Sequence, residues 1–408
     1  MKKQLLFLLG IILMIPNSVT AQISLKKVFP KATTIWEKSC QGDLMDFVLT
    51  KNKKNIIVLS HGANNFNLYY LNSNGEKIWE KTQNFKYPEY QKTEFLSMSE
   101  NAELIIIHGA DKYEEGPLTW VFDNTGNLLF HKNEIKGFYF PSPKGNYILF
   151  QKRTGFDNIK LFDKYGKSIP LILPSELKEA KVKMKFISDE EALIYKKVKI
   201  NNEVKSEFLL VTIPQFQIKW TQIIDKPLWC INFNLENVTH NNKYIVIQDT
   251  YPGKIYLLDK ISGKILWRNN ELKGGMIISF INRGKNLLSI SGRRNIHIFS
   301  VLDGKSLFKS NILEKSILIL PRISFENRKL IISTFIKTKD KNLCKRGEPI
   351  KGVNSYIINF DDNWNINQQN FVKGGTLSYS LNCETEIISI LNDENNKKLI
   401  VKKISEGK

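Results

Sequence analysis

The chain has 408 residues, of which 42% are hydrophobic and 11% aromatic, and its formal net charge is +20. This apolar content is ample for a packed core, and after the first 21 residues no apolar run approaches the length of about 20 that spans a bilayer. The positive charge fits either an anionic partner (nucleic acid, acidic glycan or membrane headgroups) or a Lys-rich solvated surface. We favour the solvated surface because the lysines are scattered along the chain.

Residues 1–21 have the pattern of a secretory signal peptide. Lys2 and Lys3 form a basic start, residues 5–15 are apolar, and residues 19–21 end in a small-residue cleavage site at Ala21. We therefore expect export to the periplasm or outside the cell, with residues 22–408 as the mature protein. No Cys lies near the cleavage site, so the sequence does not predict a lipid anchor.

A short unit recurs along the mature chain. In its clearest copy, residues 256–269, an apolar strand ends at Asp259, a turn contains Gly263, and a second strand carries Trp267. Asp and Gly both favour such turns. We call the aromatic or apolar residue after the turn the anchor. The anchors are Trp36, Trp79, Phe130, Pro170, Trp220, Trp267 and Phe308, with a degenerate copy near Asn367.

The anchors are about 40–60 residues apart, which is the period of four-stranded propeller blades. Two further apolar runs lie between successive anchors, so each unit has four strands. The runs at 56–59, 104–107, 244–247 and 330–333 are apolar at nearly every position, which predicts strands covered on both faces. A propeller blade lies between two neighbours and meets this condition.

The two ends of the mature chain complement each other. Residues 33–38 (TTIWEK) resemble the fourth strand of a unit, and residues 398–404 (KLIVKKI) resemble a third strand with no fourth strand after it. Pairing them would place Ile35 and Trp36 beside Leu399–Val401 and would leave no exposed sheet edge. The sequence therefore predicts an all-β, single-domain, eight-bladed β-propeller of four-stranded antiparallel blades. Seven blades is the alternative if the degenerate copy is an insertion.

The spacing of Asp259, Gly263, Lys264 and Trp267 resembles the repeat of the pyrroloquinoline-quinone-like (WD40-like) β-propellers. This resemblance implies a structural motif in which the aromatic anchor docks one blade on the next. Family members range from quinoprotein dehydrogenases to a propeller lipoprotein that helps assemble outer-membrane barrels. This chain lacks the adjacent Cys-Cys pair of the dehydrogenases and the lipid-attachment site of the lipoprotein. The resemblance assigns docking roles to Trp36, Trp79, Phe130, Trp220, Trp267 and Phe308.

Two histidines occupy matching positions. His61 and His108 each follow an apolar run and precede Gly-Ala, which suggests a metal or ligand site together with Asp111. The alternative, which we favour, is a duplicated blade that kept the same residues. Loops at the same predicted face would present further binding residues, namely Arg153, Asp157, Asp249, Arg293, Arg294, Lys345 and Arg346.

Cysteine spacing gives no zinc motif, but a disulfide between Cys40 and Cys344 is a hypothesis consistent with export. No hydrolase, metalloprotease or phosphate-binding motif occurs. We therefore expect a non-enzymatic, monomeric scaffold without a cofactor, which binds a protein or acidic glycan at a bacterial envelope. The alternative is a secreted propeller enzyme: a polysaccharide lyase, a glycosidase or a metal-dependent oxidoreductase. Export makes a nucleic-acid partner unsuitable.

Overall fold

The computed structural model of the protein describes most of the chain from Thr33 onwards. The described residues are 33–51, 54–87, 91–111, 116–133, 137–152, 159–171, 182–224, 238–249, 254–271, 275–291, 295–310, 322–326, 328–335, 353–373, 375–379, 386–393 and 398–405. Within these ranges the regular structure is β-strand apart from one 3-10 turn, Asn282–Gly284. The all-β prediction is confirmed. The described ranges contain no helix with the length and apolar character to cross a membrane.

The described residues fall into two compact units. The first lies within residues 1–92 and 316–408 and holds three four-stranded antiparallel sheets. Two of them have consecutive strands: β2 (Asp43–Leu49), β3 (Ile56–His61), β4 (Asn65–Leu71) and β5 (Lys77–Asn84), and β26 (Arg322–Glu326), β27 (Lys329–Phe335), β28 (Val353–Phe360) and β29 (Ile366–Lys373). The third joins β30 (Gly375–Tyr379), β31 (Glu386–Asp393) and β32 (Lys398–Ser405) to β1 (Thr33–Gln41).

The second unit, residues 93–315, contains sheets of four consecutive strands throughout its described part; its first strand begins two residues earlier, at Gln91. They are β6 (Gln91–Met98), β7 (Leu104–Asp111), β8 (Gly116–Asp123) and β9 (Leu128–Asn133); β10 (Gly137–Pro141), β11 (Tyr147–Lys152), β12 (Ile159–Asp163) and β13 (Ser168–Ile169); β14 (Lys183–Phe186), β15 (Glu191–Ile200), β16 (Glu203–Thr212) and β17 (Ile218–Ile224); β18 (Val238–His240), β19 (Tyr244–Gln248), β20 (Ile255–Asp259) and β21 (Ile265–Asn269); β22 (Gly275–Ile281), β23 (Asn286–Ser291), β24 (Asn295–Ser300) and β25 (Ser306–Ser310).

The second strand of each sheet is the centre of the core. The predicted apolar runs lie in β3, β7, β19 and β27, and their aliphatic side chains are buried. In the second unit, β19 shows why both faces are apolar. Ile245 and Ile247 belong to one cluster with Tyr195 of the preceding sheet, whereas Val246 belongs to another with Leu287 of the following sheet. Alternate side chains of one strand therefore pack on two different sheets.

The turn between the third and fourth strands has a constant plan. Gly263 and Gly304 hold φ values of +71° and +70° there, a left-handed conformation that costs L-residues with a Cβ about 1–2 kcal/mol each. In the copies that lack glycine, Phe216 and Trp364 adopt the same conformation, with φ of +58° and +65°. The turn geometry is thus kept even where the sequence motif is absent.

The N-terminal strand pairs with the C-terminal one, as predicted. β1 is antiparallel to β32 from Thr33 opposite Ser405 to Gln41 opposite Lys398. The predicted register was wrong. Trp36 lies opposite Lys403, and Leu399–Val401 lies opposite Lys38–Cys40. The strands are longer than predicted and β1 contains a bulge between Thr34 and Trp36, which together shift the pairing.

Candidate functional site

A layer of buried polar residues follows the apolar runs of the second strands. Unpaired polar groups are costly to bury, so each such residue needs a partner. We call these residues the polar layer; they are Ser60, His108, Gln151, Lys196 and Gln248. Several of the predicted binding residues lie next to them in the sequence.

The polar layer connects neighbouring sheets of the second unit. The Gln151 side-chain oxygen accepts a 2.7 Å hydrogen bond from the Met184 backbone N–H on β14. The Gln248 amide donates a 2.9 Å hydrogen bond to the Ser289 hydroxyl on β23. These side chains therefore hold one sheet to the next, and they lie one or two residues before the predicted binding residues Asp249 and Arg153.

His108 is fully buried in the polar layer. Its Nε2 lies 3.1 Å from the Ser97 hydroxyl, and its ring lies 5.7 Å from the ring of Phe138 and 6.1 Å from that of Phe140. Burial lowers the pKa of His108 from 6.5 to about 3, because its surroundings do not solvate the imidazolium. The imidazole is therefore neutral at physiological pH, and aromatic rings of the next sheet face it.

The prediction that both histidines end their second strands was wrong for His108, which is the fifth of the eight residues of β7 and lies opposite Thr119. His61 ends β3, opposite Phe66. It is half-buried, and its ring lies 5.4 Å from the ring of Phe85. Asp111 ends β7 and is paired with Gly116; its side chain lies outside the described part. Among the described residues, no three His, Cys, Asp or Glu side chains come close enough to hold a metal ion.

Asp249 is buried beyond the end of β19, where its backbone N–H donates to the carbonyl of Lys254 over 2.8 Å. Burial, and then the charge of Asp249, raise the pKa of the Tyr195 hydroxyl in the preceding sheet. The structure thus buries a residue that the sequence predicted to bind a ligand.

Sequence reasoning missed a buried ion pair. Lys196 on β15 and Glu207 on β16 face each other in register, and their charged atoms are 2.9 Å apart. The only sequence signal is a lysine placed directly after the apolar run of residues 192–195. Beyond the pair, the hairpin continues to a tip at Asn201 and Asn202, both of which have positive φ.

The remaining predicted binding residues are Arg153, Asp157, Arg293, Arg294, Lys345 and Arg346, and they lie outside the described residues. Their roles stay predictions. The Cys40 thiol is free and buried in the structure, and burial raises its pKa to about 12. Because Cys344 is also outside the described residues, the Cys40–Cys344 disulfide stays a prediction.

Aromatic anchors lie against the turns of neighbouring sheets. The Trp36, Trp220 and Trp267 rings cover Gly75, Gly263 and Gly304, and the Phe130 ring covers Gly166. Each of these tryptophans also donates its indole N–H to a turn carbonyl, at 2.8–2.9 Å. Trp79 lies in β5 against Tyr70, with ring centroids 5.4 Å apart, and Phe308 is half-buried in β25.

A β-bulge precedes the anchor in the outer strands. The register shifts immediately before Trp36, Trp79, Phe130, Trp220, Trp267 and Phe308, so one extra residue stands unpaired beside each of them. Four of these extra residues are exposed aliphatics: Ile35, Ile78, Leu266 and Leu307. The outer strands therefore present apolar side chains to solvent, and the anchors next to them are turned inward.

Comparison with known proteins supports the fold. No known sequence family and no curated protein sequence matches this chain. The structure is similar to BamB from Moraxella catarrhalis, with a TM-score of 0.57 and 12% sequence identity over 92% of this chain and 99% of that chain. It is similar to the C-terminal WD40 domain of Sif2, with a TM-score of 0.55 and 10% identity over 92% and 98%.

A computationally designed protein, Ika8, is also similar, with a TM-score of 0.51 and 14% identity over 90% of this chain and 98% of that chain. At these identities the likeness concerns fold and carries no activity. Together with the four-stranded antiparallel sheets, it shows that the chain has a β-propeller repeat fold.

Proposed function

We propose that the protein is an exported, non-enzymatic β-propeller that binds a protein or an acidic glycan in the bacterial envelope. Eight four-stranded blades form the propeller, and the β1–β32 pairing closes the ring. The N-terminal 21 residues direct export and are removed after Ala21. In this proposal the aromatic anchors keep the scaffold rigid, and the basic charge of the chain attracts the partner.

One observation carries the non-enzymatic part of the proposal. Three of the described side chains that could serve acid–base chemistry are buried. His108 packs on aromatic rings, Lys196 is paired with Glu207, and Asp249 is buried beyond the end of β19. Exposed apolar side chains on the outer strands are instead available for surface contacts.

The test uses residues 22–408 in immobilised form, exposed in parallel to envelope proteins and to acidic glycans. We expect saturable binding of one defined partner. Replacing Arg293, Arg294, Lys345 and Arg346 by serine should weaken it about tenfold or more, since each lost charge contact is worth up to about 1 kcal/mol. The control removes the same number of charges from Lys54, Lys81, Lys167 and Lys199.

Two outcomes would contradict this proposal. Cleavage of a polysaccharide into shorter chains by the protein would show that it is an enzyme. Equal weakening by the control set would show non-specific attraction to the +20 charge. Mass measurement of the exported protein tests the leader, because removal of residues 1–21 leaves Gln22 as the first residue.

A further inference from the structure

Two turns of the second unit expose aliphatic residues at their tips. Ile261, between β20 and β21, is 84% exposed, and Leu302, between β24 and β25, is 92% exposed. The corresponding tips between β4 and β5 and between β8 and β9 carry the polar residues Asn74 and Thr125. An aliphatic side chain that stays in water at such a tip contributes no burial free energy to folding, but it would contribute on burial against another surface.

The Ile261 tip is held rigidly. The Asp259 carboxylate accepts hydrogen bonds of 2.7 Å from both the backbone and the hydroxyl of Ser262. On the other side, the Trp220 indole donates to the Lys260 carbonyl over 2.9 Å, and the Lys260 ammonium lies 3.0 Å from the Glu191 carboxylate. The turn therefore presents Ile261 in a fixed position.

Trp267 holds the turn that carries Leu302. The Trp267 indole donates to the Val301 carbonyl over 2.8 Å, and its ring covers Gly304. Trp267 itself belongs to β21, the strand that begins directly after the Ile261 turn. The two turns therefore belong to adjacent sheets that Trp267 links.

More exposed aliphatic surface continues from the tips along the outer strands. The bulge before Trp267 leaves Leu266 51% exposed, and the equivalent bulge before Phe308 leaves Leu307 37% exposed. Four exposed aliphatics therefore lie on two adjacent hairpins.

Exposed basic residues lie on the same two hairpins as these aliphatics. Lys264, Arg268, Lys305 and Lys309 are exposed on the same two outer hairpins. Two acids of these turns are engaged locally. Asp259 accepts hydrogen bonds from Ser262, and the Asp303 carboxylate lies 3.4 Å from the Lys305 ammonium in an exposed pair that solvent screens. We name the set Ile261, Leu266, Leu302, Leu307, Lys264, Arg268, Lys305 and Lys309 the apolar–basic edge.

We propose that the apolar–basic edge docks the protein on an anionic lipid bilayer. Aliphatic tips insert among the headgroups and gain from leaving water, while lysine and arginine attract the negative surface. A bilayer accepts protruding side chains without a complementary pocket. A second copy of this chain is a poor occupant, because it would bring like charges together. This docking is independent of the protein or glycan binding proposed above.

The test is sedimentation of the mature protein with phosphatidylcholine vesicles that contain or lack phosphatidylglycerol. We expect binding to the anionic vesicles only, and weaker binding as salt is raised. The double variant Ile261→Ser, Leu302→Ser should bind at least about tenfold more weakly, because each large aliphatic side chain adds to the binding free energy when it leaves water. Lys264→Ser with Lys305→Ser should also weaken binding and reduce its salt dependence.

The matched control is Ile78→Ser, which removes an aliphatic that is 47% exposed on an outer strand of the first unit. It should bind as the unmodified protein does. Absence of sedimentation with anionic vesicles would overturn the proposal and leave a protein partner for this edge. Equal binding to neutral vesicles, or equal loss in Ile78→Ser, would also overturn it. Retained partner binding with lost vesicle binding separates this proposal from the scaffold function.

Discussion

At the scale of the residue, the buried polar groups decide between chemistry and architecture. The same position after the second strand's apolar run holds His108 in one sheet, Gln151 in the next and Gln248 in another. Gln151 and Gln248 use their amides to reach the neighbouring sheet. His108 occupies a matching place but is surrounded by aromatic rings, and burial lowers its pKa to about 3.

This shift makes the folded protein sensitive to acid. The unfolded chain binds a proton at His108 near pH 6.5, whereas the folded chain resists protonation down to about pH 3. The stabilising contribution of neutral His108 is therefore complete above about pH 6.5 and is lost as the pH falls towards 3. Over this window, one such group lowers the free energy of unfolding by about 1.4 kcal/mol per pH unit.

We predict that His108→Gln reduces the acid sensitivity of folding. Glutamine suits the position, since Gln151 and Gln248 occupy its equivalents. Urea unfolding at about pH 6.5 and about pH 4.5 should show a loss of stability smaller than that of the unmodified protein by about 2–3 kcal/mol. His131→Gln, at an exposed position, is the control and should keep the original pH dependence. An unchanged slope in His108→Gln would refute the assignment of a buried neutral histidine.

The histidine pair also shows what sequence could and could not predict at this scale. The shared His-Gly-Ala pattern suggested that His61 and His108 are equivalent, but His61 ends β3 whereas β7 continues beyond His108 to Asp111. The pattern also could not show that one ring is half-buried beside Phe85 and the other fully buried beside Phe138. Burial depends on residues distant in the chain, which a local pattern does not contain. Lys196 was missed for the same reason, because its partner Glu207 lies across a hairpin.

At the scale of the element, a blade is held to its neighbour by an aromatic ring on a glycine turn. A Cβ placed on Gly304 would lie 2.8 Å from the Trp267 ring, closer than van der Waals contact allows. Asn269 adds a 2.9 Å hydrogen bond from its side-chain amide to the Gly304 carbonyl. The turn thus needs glycine both for its φ and for the ring that covers it.

We predict that Gly304→Ala destabilises folding by about 2–4 kcal/mol. The left-handed φ accounts for about 1–2 kcal/mol, and displacement of the Trp267 ring accounts for the rest. Gly284→Ala is the matched control: its φ is +83°, but the nearest atom to its Cβ would be the Asn241 side-chain nitrogen at 3.1 Å. Chemical unfolding should show a clearly larger loss for Gly304→Ala. Equal losses would mean that the ring contact contributes nothing.

The turn motif was readable from sequence because it is local. Asp259, Gly263 and Trp267 lie within nine residues, and their spacing alone predicted a turn followed by an anchor. The bulge beside the anchor was not predicted, because a single unpaired residue leaves no mark on the amino-acid composition of the strand. It emerges only from the pairing of Leu257 with Trp267 and Leu258 with Ile265. The exposure of Leu266 on the apolar–basic edge follows from that bulge.

At the scale of the whole molecule, repetition is the property that the sequence displays best. A single four-stranded repeat carries too little apolar surface to fold alone, so neighbouring repeats share their cores. The pairing of chain ends was predictable because residues 33–38 repeat the pattern of residues 76–81. Its register was not, since residues beyond Lys38 and Ile404 also pair and a bulge at Ile35 shifts the alignment.

The central claim is that β1 completes the sheet built by the last strands, β30, β31 and β32. The most direct test places cysteines at Glu37 and Lys402, which are opposite each other in the β1–β32 pair, and identifies disulfide-linked peptides by mass spectrometry. A second protein carries cysteines at Glu37 and Lys398, a partner of Gln41 rather than of Glu37. We predict rapid, nearly complete linkage of residues 37 and 402, and little linkage in the second protein. Failure of the 37–402 pair to link in folded protein, or equal linkage of both pairs, would contradict the account.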